Sequence, residues 1–271
     1  MQNIDRLVYK ILKDEIDKAA LIKELNDENA LADIDVEDFE NLRLLGFPIC
    51  EDEDKVRLET AETPIANQTF CIVDIEASGS NPKEDQIIEV GAVLIQNNQE
   101  IDTFESFVNA NELPESISIL TGITLDDLKD APPLNFVLEQ FRLFLKDAVF
   151  VAHNVNFDYN FISASLQQAG FGPLLNRKLC TIELSKKCFE APRYGLGYLM
   201  EYFEKSFGNQ HRALVDAQMA DYVFRYCLEH LPRQIATTEE LIALSRPIKR
   251  KKKKTKDKYS CSADNSEQIH K

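Results

Sequence analysis

The segment 70–79, Phe-Cys-Ile-Val-Asp-Ile-Glu-Ala-Ser-Gly, puts two carboxylates where a strand would put core. Side chains alternate along a strand, so Cys71, Val73 and Ile75 share one face while Ile72, Asp74 and Glu76 share the other. The apolar run over 70–73 reads as a central strand buried on both sides. Two same-face carboxylates there lose water and repel each other, which is costly unless a cation or a strong partner stands with them. The plainer reading is a strand end meeting solvent, with Glu76 already in the loop. A third acid, Asp158 in His153-Asn154-Val155-Asn156-Phe157-Asp158, falls in the first turn of a helix that follows a strand. The helix dipole favours an acid there, so Asp158 alone signals no more than a helix start. Asp216 is different: it shares a helical face with Met219, Ala220, Val223 and Cys227, and an acid on an apolar stripe needs a partner. His211 lies five residues ahead of it. In a continuous helix it would point about 140° away, so it belongs on the loop before the helix, within reach of the same cleft. A capping or packing role is the ordinary alternative for such a histidine.

Hydrophobic period and turn residues supply the elements that must position these groups. After the first strand comes a loop over 77–82, then strands over 87–96 and 101–108 joined at Asn97-Asn98, a β-meander. Glu89, inside the second of these, is either an edge-facing polar residue or support for the acids. Helices are expected over 114–121, stopped by Gly122, and over 132–145, followed by a strand over 148–152. A helix over 155–169 stops at Gly170, a short strand covers 179–180, and helices cover 181–189, 196–203 and 213–229. Strands first and then alternation with helices give an α/β fold, a mixed central sheet flanked by helices, over 69–231, with a helical extension over 232–244.

Residues 1–62 read as a separate small module. Ile4, Leu7, Val8, Ile11 and Leu12 mark one helix, Leu21, Ile22 and Leu25 a second, and Phe39, Leu42 and Leu45 a third, stopped by Gly46 and Pro48. Ile49-Cys50 and Val56-Arg57-Leu58 flank an acidic turn over 51–54 as a hairpin. Three helices and a hairpin resemble a winged helix, yet the would-be recognition helix carries Asp33, Asp35, Glu37, Asp38 and Glu40. The segment holds 18 acids against 8 bases, a surface that repels phosphates and suits protein contact better than DNA reading. Residues 63–68, with Pro64, form a linker. The chain has 271 residues and a net charge of −15, but eight lysines and arginines between 249 and 258, with Asp257 among them, form a block of +7. The rest of the chain therefore stands at −22. Residues 245–271 are expected to be a disordered basic tail, an arm able to contact phosphates. The six cysteines include no C-x-x-C pair, so no zinc site or disulfide scaffold is indicated. No apolar run reaches about 18 residues, and the N-terminus lacks the basic and apolar regions of a signal peptide. The expectation is a cytoplasmic protein with no membrane contact.

Taken together and in order, Asp74-x-Glu76, His153-Asn154-x-x-Phe157-Asp158 and His211-x-x-x-x-Asp216 resemble the three motifs of the DEDDh family of 3′–5′ exonucleases, above all the proofreading (epsilon) subunits of bacterial DNA polymerase III. Ile87-Ile88-Glu89-Val90-Gly91-Ala92-Val93, Leu120-Thr121-Gly122-Ile123-Thr124 and Ala131-Pro132 also look like this family's connecting segments. The resemblance covers roughly residues 69–231 and implies a ribonuclease H-like exonuclease fold. It implies that Asp74, Glu76, Asp158 and Asp216 bind two divalent cations, Mg²⁺ or Mn²⁺, with Asp74 bridging them, and that His211 is the general base. Carboxylate oxygens suit such hard ions, and two ions together offset four negative charges. Such a pair activates a water and stabilises the leaving 3′-oxygen in an in-line attack on phosphorus, and a histidine can take the water's proton. Thr121, Asn154 and Phe157 are candidates to frame the terminal nucleotide, with core or capping roles an equal reading. Ala77 departs from the threonine common after the glutamate, which bears on one contact to that nucleotide.

The implied activity is release of nucleoside monophosphates from single-stranded or frayed 3′ ends of DNA, in proofreading or repair, with a replicative DNA polymerase subunit as protein partner. RNA 3′-end trimming on the same fold is the alternative. A third reading, an inactive binding module, conflicts with the complete set of acids and His211.

Overall fold

The computed structural model describes residues 2–247 apart from 15, 209 and 210; the expected basic tail from 248 onward lies outside the described residues. Near the N-terminus, α1 (Gln2–Leu12), α2 (Lys18–Asn26) and α3 (Phe39–Leu44) pack on a hairpin of β1 (Ile49–Asp52) and β2 (Lys55–Leu58). Leu7, Val8 and Ile11 of α1, Leu21 and Leu25 of α2, and Leu42, Phe47, Ile49, Val56 and Leu58 bury themselves in one apolar cluster. The expected recognition helix needs correction. Of its five acids only Glu40 lies in α3, which is six residues long. The others precede it in turns: Asp38 caps α3 by accepting from the Glu40 N–H at 3.0 Å, and Asp35 accepts from the Glu37 N–H at 3.1 Å. Aspartate side chains that bond neighbouring amides hold the chain in turns and caps rather than in a helix.

The expected linker is also more ordered than a tether. It follows directly on α4 (Glu59–Glu62) and contains a 3₁₀ turn over Ile65–Asn67, and Pro64 forms a β-bridge with Thr237. The sheet follows: β3 (Phe70–Ala77), β4 (Ile87–Gln96) and β5 (Gln99–Phe107) form the antiparallel meander. After them come α5 (Glu115–Thr121), α6 (Leu125–Leu128) and α7 (Leu134–Leu145). The helix α6 carries a Thr124–Asp127 capping box that the periodicity did not mark out. Then β6 (Val149–Ala152), α8 (Val155–Gln168), β7 (Lys178–Cys180), α9 (Thr181–Cys188), α10 (Leu196–Tyr202), α11 (Ala213–Glu229) and α12 (Thr238–Leu244) complete the described chain.

Among the described residues the strand order is β5-β4-β3-β6-β7, with β6 and β7 parallel to β3, so the sheet is mixed and β3 is its centre. Alternation along β3 sorts the core into two layers. Cys71, Val73 and Ile75 pack with Val137, Phe141 and Leu145 of α7 and Phe161 and Ile162 of α8. Phe70 and Ile72 pack on the other face with Leu184 of α9, Leu199 of α10, and Ala217, Ala220 and Phe224 of α11. The five described cysteines are free thiols, and no described helix is long and apolar enough to cross a membrane.

Candidate active site

Asp74 and Glu76 stand on the α11 face of β3, beyond Ile72, where β6 stops pairing with it. On the other edge of β3, Gly91 of β4 is the partner of Asp74 and Glu89 the partner of Glu76. A Cβ on Gly91 would lie 2.1 Å from the Leu214 backbone nitrogen. Glycine at this position is what allows the first turn of α11 to lie against the sheet, and so carries Asp216 to Glu76.

The approach from the other side uses the end of β6. Asn154 adopts a left-handed conformation (φ 80°), turning the chain from β6 into α8. Asp158, one turn into α8, is 3% exposed, and its Oδ1 accepts from the Ile75 N–H at 3.3 Å, a donor that β6 ends too early to pair. His211 is exposed and also left-handed (φ 62°), and its backbone N–H donates to Asp216 Oδ2 at 3.2 Å. One ligand atom each from Glu76, His211 and Asp216 lies within 4.8 Å of the others. That trio does not include Asp74 or Asp158.

The electrostatics are those of a cluster short of positive charge. Burial, then the carboxylates of Asp158, Asp216, Glu76 and Glu89, push Asp74 well above the ordinary carboxylate range. Burial, then Asp216, Glu89 and Asp158, raise Glu76 to about 7, with Arg212 pulling weakly the other way. Burial takes Asp158 to about 7 in spite of its backbone donors, and raises Asp216 against the opposing pull of His211. Asp216 Oδ1 is buried without a hydrogen-bond partner. Raised carboxylates, an orphaned carboxylate oxygen and an all-oxygen acid set are what a hard divalent cation would complete.

The remaining sequence candidates divide. Asn154 and Phe157 sit exposed at the start of α8 beside Asp158. The Thr121 hydroxyl is used locally, donating to the Ile117 carbonyl at 2.9 Å and accepting from the Ile123 N–H at 3.1 Å. Ala77 is buried on the opposite face of β3, among Val73 and Ile75, so its methyl group faces core rather than the acids. His153 ties the end of β6 to its surroundings through Thr181 Oγ1 and the Tyr194 carbonyl, both at 2.8 Å. Burial lowers its imidazole to about 4. Arg212 escaped the sequence reading altogether. It pairs with Glu89, and the available signal was the acid inside an apolar strand, which demands a cation from somewhere.

The sequence profile of the family described as Exonuclease (RNase_T) matches residues 71–224, more than half of the chain. The chain belongs to this exonuclease family. The matched region runs from β3 into α11 and holds Asp74, Glu76, Asp158, His211 and Asp216, while the N-terminal module lies outside it. Relatives include the PolC-type DNA polymerase III of Staphylococcus haemolyticus and of Staphylococcus aureus, each 36% identical over 178 residues. That stretch is 65% of this chain but 12% of the relatives' own length. These relatives are PolC-type polymerases, where the sequence resemblance pointed to epsilon subunits. Among solved structures, E. coli exonuclease I with a dA16 oligonucleotide matches with a TM-score of 0.56 at 16% identity, over 62% of this chain and 42% of that one. A zinc-bound complex of E. coli exonuclease I with single-stranded DNA matches at 0.57, with the same identity and coverage. At such identity the likeness is one of fold, and the mixed sheet with its flanking helices is that exonuclease fold.

Proposed function

We propose that this exonuclease-family chain is a metal-dependent 3′–5′ exonuclease that releases nucleoside monophosphates from single-stranded or frayed DNA 3′ ends, in proofreading or repair. The observation that carries the reading is the convergence of four raised carboxylates and one exposed histidine at the end of β3, with Asp216 Oδ1 left unpartnered. Asp74, Glu76, Asp158 and Asp216 would hold the cations. When bound, two divalent ions lower the pKa of a water and absorb charge on phosphoryl oxygens. The chain's own residues do the rest. Asp158 is held by the Ile75 amide and Asp216 by the His211 amide, so both carboxylates arrive already oriented. His211, exposed at the mouth of the cleft, takes the proton of the attacking water, and imidazole is the side chain suited to that exchange near neutral pH. Asn154 and Phe157, exposed beside Asp158, offer an amide and an aromatic face to the terminal nucleotide.

The PolC-type relatives favour DNA as substrate and a replicative polymerase as partner. The direct test uses 3′-labelled single-stranded DNA and RNA with Mg²⁺, with Mn²⁺ and with EDTA. Labelled mononucleotide should appear from DNA, faster than from RNA, and only with metal. Hydrolysis that survives EDTA, or cleavage confined to internal positions, would refute the proposal.

A further inference from the structure

One ion pair beside the site, buried at its acid and half-exposed at its arginine, has no part in the chemistry above. Glu89 is 0% exposed near the start of β4, directly across from Glu76. Its Oε1 accepts from Arg212 Nη2 at 2.8 Å and Nε at 3.1 Å, and its Oε2 accepts from the Ala213 N–H at 3.0 Å. The same guanidinium lies 4.9 Å from the centre of the Phe107 ring and 3.8 Å from Glu105. Arg212 is thus held by an acid, a ring and a second acid, one residue away from His211.

We propose that Glu89 is a positioning residue that holds the Arg212 guanidinium out of the acid cluster and so keeps Glu76 and Asp216 available to divalent cations; this rests on the metal-dependent reading above. An arginine is permanently charged and favours two-point contact with a carboxylate. Placed beside carboxylates that lack positive charge, it is a built-in competitor for the metal. Glu76 and Glu89 are cross-strand partners, and side chains of such pairs stand roughly 5 Å apart at Cβ. A guanidinium released from Glu89 therefore needs to move only a short way to reach Glu76. Glu89 also ties down the start of α11 through the Ala213 amide, so the same carboxylate fixes the segment that presents His211 and Asp216.

A pair that served only packing would behave differently from a pair that restrains a competitor, and the difference is one of sign. Glu89→Gln keeps the shape and an acceptor for Ala213 but no longer neutralises Arg212. Mn²⁺ affinity, measured by calorimetry on the full chain, should fall about tenfold or more, the worth of one hydrogen bond to a charged carboxylate. Arg212→Gln removes the competitor and should leave Mn²⁺ affinity equal to wild type or tighter, even though its thermal midpoint drops. The double variant should recover the wild-type affinity. An unchanged Glu89→Gln affinity, or Mn²⁺ binding that weakens in both single variants in step with thermal stability and stays weak in the double, would overturn the proposal. Where Glu89→Gln does not fold, Arg212→Gln decides: retained or tighter Mn²⁺ binding supports it, and loss overturns it. A wild-type chain that takes up no Mn²⁺ would instead refute the metal-dependent reading, and this proposal with it.

Discussion

A lone buried carboxylate, Glu239, and a cluster of buried and half-buried carboxylates at the end of β3 are both pushed up by desolvation and end in opposite states. Glu239 of α12 is 7% exposed, and burial pushes its carboxyl up. Arg177 donates to it through Nε at 2.6 Å and Nη2 at 2.9 Å, and the Thr60 hydroxyl donates at 2.8 Å. Those partners outweigh burial and hold Glu239 below its ordinary value. At the end of β3, burial acts in the same direction and is the largest cause at each acid, neighbouring carboxylates add to it at Asp74 and Glu76, no cation outweighs it, and Asp74, Glu76, Asp158 and Asp216 are all raised. Burial raises every one of them, and a partnering cation is what reverses the outcome at Glu239. Where a cation is built in, the carboxylate ties together three segments far apart in sequence, α4, the stretch before β7, and α12. Where none is built in, the acids stay raised, and a cluster of perturbed acids is the usual mark of a functional site.

The comparison breaks most visibly if the acids at the end of β3 prove dispensable. Asp74→Ala and Asp216→Ala should each abolish metal-dependent release of nucleotides, while the metal-free chain stays folded with a thermal midpoint equal to or above wild type, because repulsion is relieved. Hydrolysis that persists in either variant, or a large drop in the metal-free midpoint, would make these acids structural like Glu239. His211→Ala should slow turnover by roughly 10²–10⁴-fold, the usual worth of a general base. Mn²⁺ affinity separates the two roles open to His211: little change supports the base, and a large loss makes the imidazole a ligand, as its approach to Glu76 and Asp216 within 4.8 Å would permit.

The opposite group is tested by removing its cation. Arg177→Met strands Glu239 in the interior with Thr60 as its remaining side-chain partner. Uncompensated buried charges of this kind cost about 3–5 kcal/mol. Denaturant unfolding should show that loss, with nucleotide release per folded molecule unchanged. Replacing both partners, as Arg177→Met with Glu239→Leu, should restore much of the stability. A single variant as stable as wild type would remove the contrast on which the comparison stands.

How much of this was readable in the sequence depends on the range of the interaction. The strands and helices of the exonuclease region follow from period and punctuation, with Gly122 and Gly170 ending α5 and α8 in left-handed conformations. The acids at 74, 76, 158 and 216 stood out because each sits where an acid is costly or helix-bound, and their convergence came from the family resemblance. The long-range ion pairs did not stand out, since Glu89 with Arg212 and Glu239 with Arg177 join residues 123 and 62 positions apart. The contacts that the N-terminal module and the expected linker make with the rest of the chain escaped the local pattern for the same reason. Leu175 buries itself in the module's core, its N–H donates to the Leu45 carbonyl at 2.8 Å, and Thr63 and Ile65 are bonded to Thr238 and Ala236. Gly46 belongs to this contact as well as to the stop of α3, since a Cβ there would lie 2.1 Å from Asn176 Oδ1. Local pattern placed the glycine but could not say what it faced.

The smallest expected effect is also the one that reads the site's charge without any chemistry, through pH. Glu76 and Asp158 titrate near 7 in the folded chain against ordinary values of 4.5 and 3.8, so the folded chain holds their protons more tightly than the unfolded chain does. Their contribution to stability is complete below about pH 4 and is lost as pH rises through 7. His153 works in the opposite direction. Its folded value of about 4 lies below the ordinary 6.5, so its contribution is complete above pH 6.5 and is lost as pH falls toward 4. The two trends overlap between pH 4 and 7, and the net slope of wild type alone is ambiguous. Glu76→Gln resolves it, because it removes one site titration and leaves His153 in place. Without metal, the thermal midpoint of Glu76→Gln relative to wild type should climb from pH 5 to pH 8, as wild type comes to carry an added negative charge in the cluster. Saturating Mn²⁺ should stabilise wild type over the same range and erase or invert that climb, since the charge then has its counter-ion. A difference between the two chains that is flat with pH, or one that Mn²⁺ leaves untouched, would mean that Glu76 is satisfied within the protein, as Glu239 is, and that the contrast between the two groups does not hold.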